Sequence, residues 1–347
     1  MRSTRMPGHD IIVIGASAGG VEALRQLIHD LPVDLPAALF VVLHLPPQSP
    51  SMLPLILARA GQLDARHATD GEEIKRGRIY IAPPDRHLLL EHERVCVTHG
   101  PKENRHRPAV DPLFRSAALV YGPRVVGVIL TGALDDGTAG LRNVKQRGGV
   151  AVVQDPREAL YSGMPSSAVK NVKIDYCLPL AEIGPLVAQL ARAEAAEEGD
   201  YPVSDDLKLE NQITENNYEA VIENVEKLGQ PSAMTCPECH GTLWEMHEGE
   251  LLRFRCHVGH AYSADSLLAE QNEALEDALW AAVRALEENA QLARRAAARA
   301  RAREHGEQGV SSRMDRKAEL TEARARLVRQ MLLSGAPEEA GAVADVA

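Results

Sequence analysis

The sequence predicts an α/β protein: a doubly wound, mainly parallel sheet with a hairpin insertion, followed by a small cysteine-bearing ribbon and a C-terminal α-helical hairpin. Three observations carry this reading. Apolar runs of strand length alternate with segments of helical periodicity from Asp10 to about Leu190, the pattern of a parallel sheet covered on both faces. Three of the five cysteines, Cys236, Cys239 and Cys256, crowd one short region. From Ser263 onward, apolar residues recur at helical spacing through an Ala-, Glu- and Arg-rich stretch.

Taken in order, DIIVIGAS (10–17) is an apolar strand ending in small residues. GGVEALRQLIHDLP (19–32) carries Val21, Leu24, Leu27 and Ile28 at helical spacing and is stopped by proline, and ALFVVLHL (38–45) is a second buried strand, so the three form a βαβ unit. RIYIAP (78–83), HLLLE (87–91) and RVCVTHG (94–100) read as short strands with hairpin connections, and DPLFRSAALVYG (111–122) as a helix. RVVGVIL (124–130), a helix across 138–147, GGVAVVQD (148–155) and a last helix and strand complete a domain over 1–192.

Residues 194–238 hold 12 acidic and 2 basic residues, which predicts a solvated linker over 193–233 with a short helix in Tyr218 to Leu228. The ribbon is expected over 234–262. Ser263 is a plausible N-cap, EHGEQG (304–309) breaks the following helix, and a second helix from Ser311 to Leu333 closes a hairpin or coiled-coil seam over 263–335, leaving a tail at 336–347.

The 347 residues are 45% hydrophobic and 25% charged, which excludes general disorder, collagen and a disulfide scaffold. No run approaches the ~18 apolar residues of a membrane span, and residues 1–10 lack the apolar core of a signal peptide, so a cytoplasmic protein is expected. Residues 1–190 carry a net charge of +2 and 191–347 one of −13. The acidic half is therefore a poor nucleic-acid reader.

Gly15-Ala16-Ser17-Ala18-Gly19 fits G-x-S-x-G between a strand and a helix, where small residues let the chain turn sharply and expose a hydroxyl. Alone it reads equally as the phosphate-cradling turn of a nucleotide-binding fold. The second strand argues against that: it ends in His44-Leu45-Pro46-Pro47, not in the acidic residue that holds a ribose. Carboxyl ends of parallel strands converge on one crevice, so Ser17 and His44 can meet there, joined by Asp135 or Asp136 from TGALDDG (131–137) after another strand. Serine nucleophile, histidine base and orienting carboxylate constitute acyl-transfer chemistry, with the Ala18 amide the natural first oxyanion donor.

Together IGASAGG, VVLHLPP, GRIYIAPPDRHLLL, NRHRPAVDPLFRSAA, ILTGALDDGTAGL and YSGMPSSAV, in this order, resemble the CheB-type chemotaxis receptor protein-glutamate methylesterases. The resemblance implies Ser17 as nucleophile, His44 as base and Asp136 as orienting acid. It implies hydrolysis of glutamyl methyl esters on receptor helices to glutamate and methanol without a catalytic cofactor, and in some relatives deamidation of receptor glutamines. Arg107, Arg115 and Met164 are candidate substrate contacts. The family often has Thr after the serine and Met-Gly where this chain has Ala133-Leu134, and typical members carry an N-terminal receiver domain, whereas the first strand here starts at Asp10. The competing reading is a catalytically silent receptor-binding scaffold.

Cys236-Pro-Glu-Cys239 and, after 16 intervening residues, Cys256-His257-Val258-Gly259-His260 supply a Cys₃His set suited to a structural zinc, with His260 the preferred fourth ligand and His257 and His240 the alternatives. A zinc-held ribbon feeding long helices reads as a docking, oligomerisation or regulatory module, free to swing on its linker.

Overall fold

The computed structural model describes residues 8–334 except 49, 198, 200, 216–225, 249–250 and 303–307. The expected 336–347 tail and most of the expected 218–228 helix lie outside the described residues. The chain forms two compact units, Met1–Leu268 and Ala269–Ala347.

The first unit is built on seven parallel strands in the order β3-β4-β2-β1-β7-β8-β9. These are β1 (Ile11–Ala16), β2 (Ala38–Leu43), β3 (Asp64–His67), β4 (Arg78–Ile81), β7 (Val125–Ile129), β8 (Val150–Gln154) and β9 (Tyr176–Leu178). Every residue of β1, β2 and β7 is buried, as continuous apolar runs require. Side chains alternate across the sheet: Ile11, Val13, Phe40 and Val42 face one core, Ile12, Ile14, Leu39 and Val41 the other. Helices α3 (Val110–Tyr121), α4 (Thr138–Gln146) and α5 (Gly163–Asn171) cover the first face. Helices α1 (Gly20–His29), α2 (Leu53–Ala60) and α6 (Leu180–Leu190) cover the second. The strand order reverses between β1 and β7, so a crevice opens at their carboxyl ends.

The hairpin insertion is β5 (His87–Glu91) with β6 (Arg94–Thr98). The expected hairpin partner RIYIAP instead enters the main sheet as β4, parallel to β2, because Ile79, Tyr80 and Ile81 are all fully buried there. His87 is wholly buried: Nε2–H donates to the Pro101 carbonyl at 2.9 Å and Nδ1 accepts from the Ala109 amide at 3.3 Å, so the neutral ring uses both nitrogens. Burial, against the raising pull of Glu103 and with Arg107 and Arg115 nearby, pushes its pKa down to about 4. Between that value and the ordinary 6.5 the unfolded chain binds more protons, so stability from His87 is complete above about 6.5 and is lost as pH falls toward 4. Comparing His87→Gln with the native chain, the stability difference is expected to shrink by about 3 kcal/mol across this window. Denaturant unfolding at pH 7 and pH 4.5 measures it; a pH-independent difference would refute the assignment.

The acidic segment is not uniformly solvated. Residues Asp205–Thr214 form α7, capped by Ser204 Oγ accepting from the Leu207 amide, and bury Glu210. The ribbon is a four-stranded antiparallel sheet of β10 (Gln230–Thr235), β11 (Thr242–Glu248), β12 (Leu251–Cys256) and β13 (Ala261–Ser263). It belongs to the same compact unit as the parallel sheet, contrary to the expectation of a module swinging on a linker. The physical reason is a buried charge cluster joining three segments. Arg115 of α3 donates to Glu103 at 2.7 and 3.1 Å and pairs with Glu210 at 3.2 Å, while Arg253 and Arg255 of β12 reach Glu210 and Glu103 at 3.1 and 3.4 Å. Burial alone would raise both carboxyls; the guanidinium charges outweigh it and hold them low.

The second unit holds most of α8 (Ala264–Arg301) and all of α9 (Gln308–Ser334). Small buried residues, Ala290, Ala293 and Ala297 on α8 and Ala318 and Ala325 on α9, permit close approach. Arg294 pairs with Glu322 at 2.6 Å and Arg329 with Glu287 at 2.7 Å, an antiparallel register within one chain. Ser263 Oγ accepts from the Ser266 amide at 3.0 Å, as an N-cap should. No described helix is long and apolar enough to cross a membrane.

Candidate active site and metal centre

Three strand ends deliver three side chains to the crevice. Ser17 follows β1, and its hydroxyl is not spent on capping α1: Gly19, at a φ of 73° that glycine tolerates, takes the N-cap position. His44 follows β2, and Asp136 lies in the loop between β7 and α4. His44 Nδ1 lies 3.0 Å from Ser17 Oγ and Nε2 lies 2.7 Å from Asp136 Oδ2. Nε2 therefore carries the proton donated to the carboxylate, which leaves Nδ1 free to accept one from the serine.

Asp136 is held on the N-terminus of α3. Its Oδ2 also accepts from the Val110 amide at 2.7 Å, and its Oδ1 accepts from the Asp111 amide at 3.2 Å and Asn104 Nδ2 at 2.9 Å. Burial alone would raise its carboxyl; the hydrogen bond and charge of His44, then the Val110 and Asn104 donors, leave it below the usual carboxylate range. Asp135, the other candidate carboxylate, points elsewhere: it accepts from Ser263 Oγ at 2.7 Å, and burial raises it to about 6. Asp111 accepts from Asn104 Nδ2 and the Gly140 amide, and burial plus the Asp136 charge push it to about 8.

Two neighbours were not singled out by sequence reasoning, although both sit in NRHRP. The His106 ring stacks on His44 with centroids 3.6 Å apart and planes 14° apart. Burial and the His44 charge push its pKa down to about 3, so it packs as a neutral ring. Asn104 is the second. Neither carries a spacing signal, since the loop between β6 and α3 brings them to the crevice.

The three candidate substrate contacts differ in placement. Arg115 is 1% exposed and engaged in the buried cluster, so it cannot face a substrate. Arg107 is tied down by Asp85, at 2.9 and 2.7 Å, and by the Gly100 carbonyl at 2.8 Å. Met164 is fully buried in the core beneath the crevice. The small-residue floor is tight: a Cβ on Gly132 would sit 2.1 Å from Met164 Sδ and 2.9 Å from Ser17 Cβ. Gly132→Ala is thus expected to displace Ser17 and lower kcat/KM for ester hydrolysis by about 10²-fold, and unchanged kinetics would contradict this packing. Leu134 occupies a left-handed φ of 58°, a conformation that a residue with a Cβ adopts at a cost and that glycine would adopt without strain.

In the ribbon, one ligand atom each from Cys236, Cys239, Cys256 and His260 lies within 4.8 Å of the others. Cys239 and Cys256 sulfurs are 3.6 Å apart, and His260 Nδ1 is 3.6 Å from the sulfurs of Cys236 and Cys256. A tetrahedral ion with ~2.3 Å bonds to sulfur needs ligand edges of about 3.8 Å, so the set can hold a metal. His257 is used otherwise, edge-on to Trp244 with ring centroids 4.1 Å apart.

Residues 12–187 match the family model described as CheB methylesterase. A Leptospira interrogans relative is 39% identical over 183 residues, spanning 52% of this chain and 95% of that protein. A Moorella thermoacetica protein-glutamate methylesterase/protein-glutamine glutaminase is 39% identical over 191 residues, 54% of this chain and 45% of its own length. The crystal structure of the Thermotoga maritima CheB methylesterase catalytic domain is 38% identical, covers 52% of this chain and 98% of its own, and superposes with a TM-score of 0.50. The parallel sheet, the serine turn at its reversal point and the matched sequence agree, and the chain belongs to the CheB methylesterase family.

Proposed function

We propose that this chain hydrolyses glutamyl methyl esters on the helices of chemotaxis receptors, with Ser17 as nucleophile, His44 as base and Asp136 as orienting acid. The observation that carries this is His44 bridging Ser17 and Asp136 at 3.0 and 2.7 Å across three strand ends. The names of the relatives support the substrate class and add glutamine deamidation, which uses the same acyl transfer.

Ser17 Oγ attacks the ester carbonyl carbon as His44 Nδ1 takes the hydroxyl proton, and Asp136 stabilises the imidazolium through Nε2–H. The oxyanion sits at the Ala18 amide, beside the N-terminus of α1. Collapse expels methoxide, which takes the proton from Nδ1 and leaves as methanol, with the acyl group on Ser17. Water then attacks, gives a proton to Nδ1, and glutamate is released as the proton returns to Ser17. The ribbon would hold zinc through Cys236, Cys239, Cys256 and His260; with four protein ligands and no open position, the metal supplies folding energy to the module. The reading places the protein in the cytoplasm, with receptor helices as substrate and the C-terminal helices available to a second copy or a regulatory partner.

Methanol release from a methylated receptor cytoplasmic fragment tests it. Release that requires methylation of the fragment is expected; none from a folded, zinc-loaded chain would overturn the assignment.

A further inference from the structure

Asn104 stands between the triad and the ribbon. It is buried in a left-handed backbone conformation, at φ 48°. On one side its Nδ2 donates to Asp136 Oδ1 at 2.9 Å and to Asp111 Oδ2 at 2.8 Å. On the other, its Oδ1 accepts from the Ser263 amide at 2.9 Å and lies 3.2 Å from the Ser266 hydroxyl. The two N–H groups and two lone pairs of the amide are all used, so its orientation is fixed from both sides.

The partners on the ribbon side are placed by the metal-ligand turn. Ser263 ends β13, which begins at Ala261, directly after the ligand His260. The Cys256 amide donates to the His260 carbonyl at 3.0 Å, closing the turn, and Arg255 Nη1 donates to the Gly259 carbonyl at 2.8 Å while its other nitrogen pairs with Glu103. Strand β13 then pairs with the esterase loop: the Ala261 amide donates to the Lys102 carbonyl at 3.2 Å, and the Asn104 amide to the Ala261 carbonyl at 2.8 Å. Lys102 also pairs with Glu238, between the ligands Cys236 and Cys239. The route from ligand turn to triad is short and wholly hydrogen-bonded.

We infer that Asn104 is a positioning residue for Asp136 and that the metal-loaded ribbon holds it in place, so that metal occupancy of the Cys₃His site sets the reactivity of Ser17. Without a formed ligand turn β13 loses its anchor, Asn104 Oδ1 loses its donors, and the amide is free to rotate away from Asp136. A charge-assisted hydrogen bond to the triad carboxylate is then lost, which corresponds to about 10- to 100-fold in rate. The inference rests on the triad proposed above but not on the identity of its substrate.

The test uses the full chain loaded with zinc, stripped with EDTA and reloaded. Two readouts need no receptor: the rate at which a phosphonofluoridate labels Ser17, and the downfield proton signal of His44 Nε2–H against Asp136. Stripping is expected to slow labelling about 10- to 100-fold and to shift or broaden the signal, both restored by zinc. Asn104→Ala is expected to label slowly even when zinc-loaded, and stripping it should add less than about 3-fold, because the two changes break the same connection. Unchanged labelling and an unchanged proton signal in the stripped native chain would overturn the coupling, as would stripping that slows Asn104→Ala as much as the native chain. Absence of labelling in the zinc-loaded native chain would instead refute the triad.

Discussion

Asp136→Asn is expected to lower kcat by about 10⁴-fold while KM changes little. The carboxylate accepts four hydrogen bonds, two on each oxygen: His44 and the Val110 amide on Oδ2, Asn104 and the Asp111 amide on Oδ1. An amide cannot accept on its nitrogen, so one pair of donors must face an NH₂ group. If that pair includes His44, the ring must present a lone pair at Nε2 and place its proton on Nδ1, opposite Ser17. The base is then blocked without any change in the shape of the crevice. If the NH₂ faces Asn104, the loop bearing His106 is disturbed instead. Steady-state kinetics with a methylated receptor fragment, alongside thermal unfolding, separates these outcomes; an activity within 10-fold of native would remove Asp136 from the triad.

Arg115→Met should destabilise the first unit by about 3–5 kcal/mol, because it strips one guanidinium from two buried carboxylates that remain charged. Glu103 loses its two-pronged partner and Glu210 loses a contact at 3.2 Å, and Arg253 and Arg255 alone must then hold both. Glu103, α7 and β12 meet at this point, so the loss should loosen the docking of the ribbon as well as the α3 side of the sheet. Urea unfolding measures the effect. A variant of native stability with a raised KM would mean that Arg115 faces substrate after all.

The sheet was legible because β1, β2 and β7 are continuous apolar runs ending in small or polar residues, and such runs have few alternatives to a buried parallel strand. The same logic located Ser17 and His44, since strand ends at a reversal point define the crevice before any contact is known. The convergence of Cys236, Cys239, Cys256 and His260 was legible from spacing alone, because a set able to hold a tetrahedral ion constrains short loops. β3 escaped because DARH is short and half exposed, with no alternation to read. Arg115 was misread because an arginine is rarely wholly buried, and its partners Glu103 and Glu210 lie 12 residues before it and 95 after it in sequence. Asn104, His106 and the docking of the ribbon were hidden for the same reason: each depends on long-range hydrogen bonds and ring contacts that leave no periodicity in the chain.

Ester hydrolysis at this site requires that His44 activate Ser17. Treating the native chain with a phosphonofluoridate, which reacts with a serine only where a base and an oxyanion pocket assist, and mapping the adduct by mass spectrometry tests this directly. One adduct per chain, on the peptide containing Ser17 and missing from His44→Ala, is the expected result. An adduct on another residue, or one on Ser17 that forms equally fast without the His44 imidazole, would contradict it.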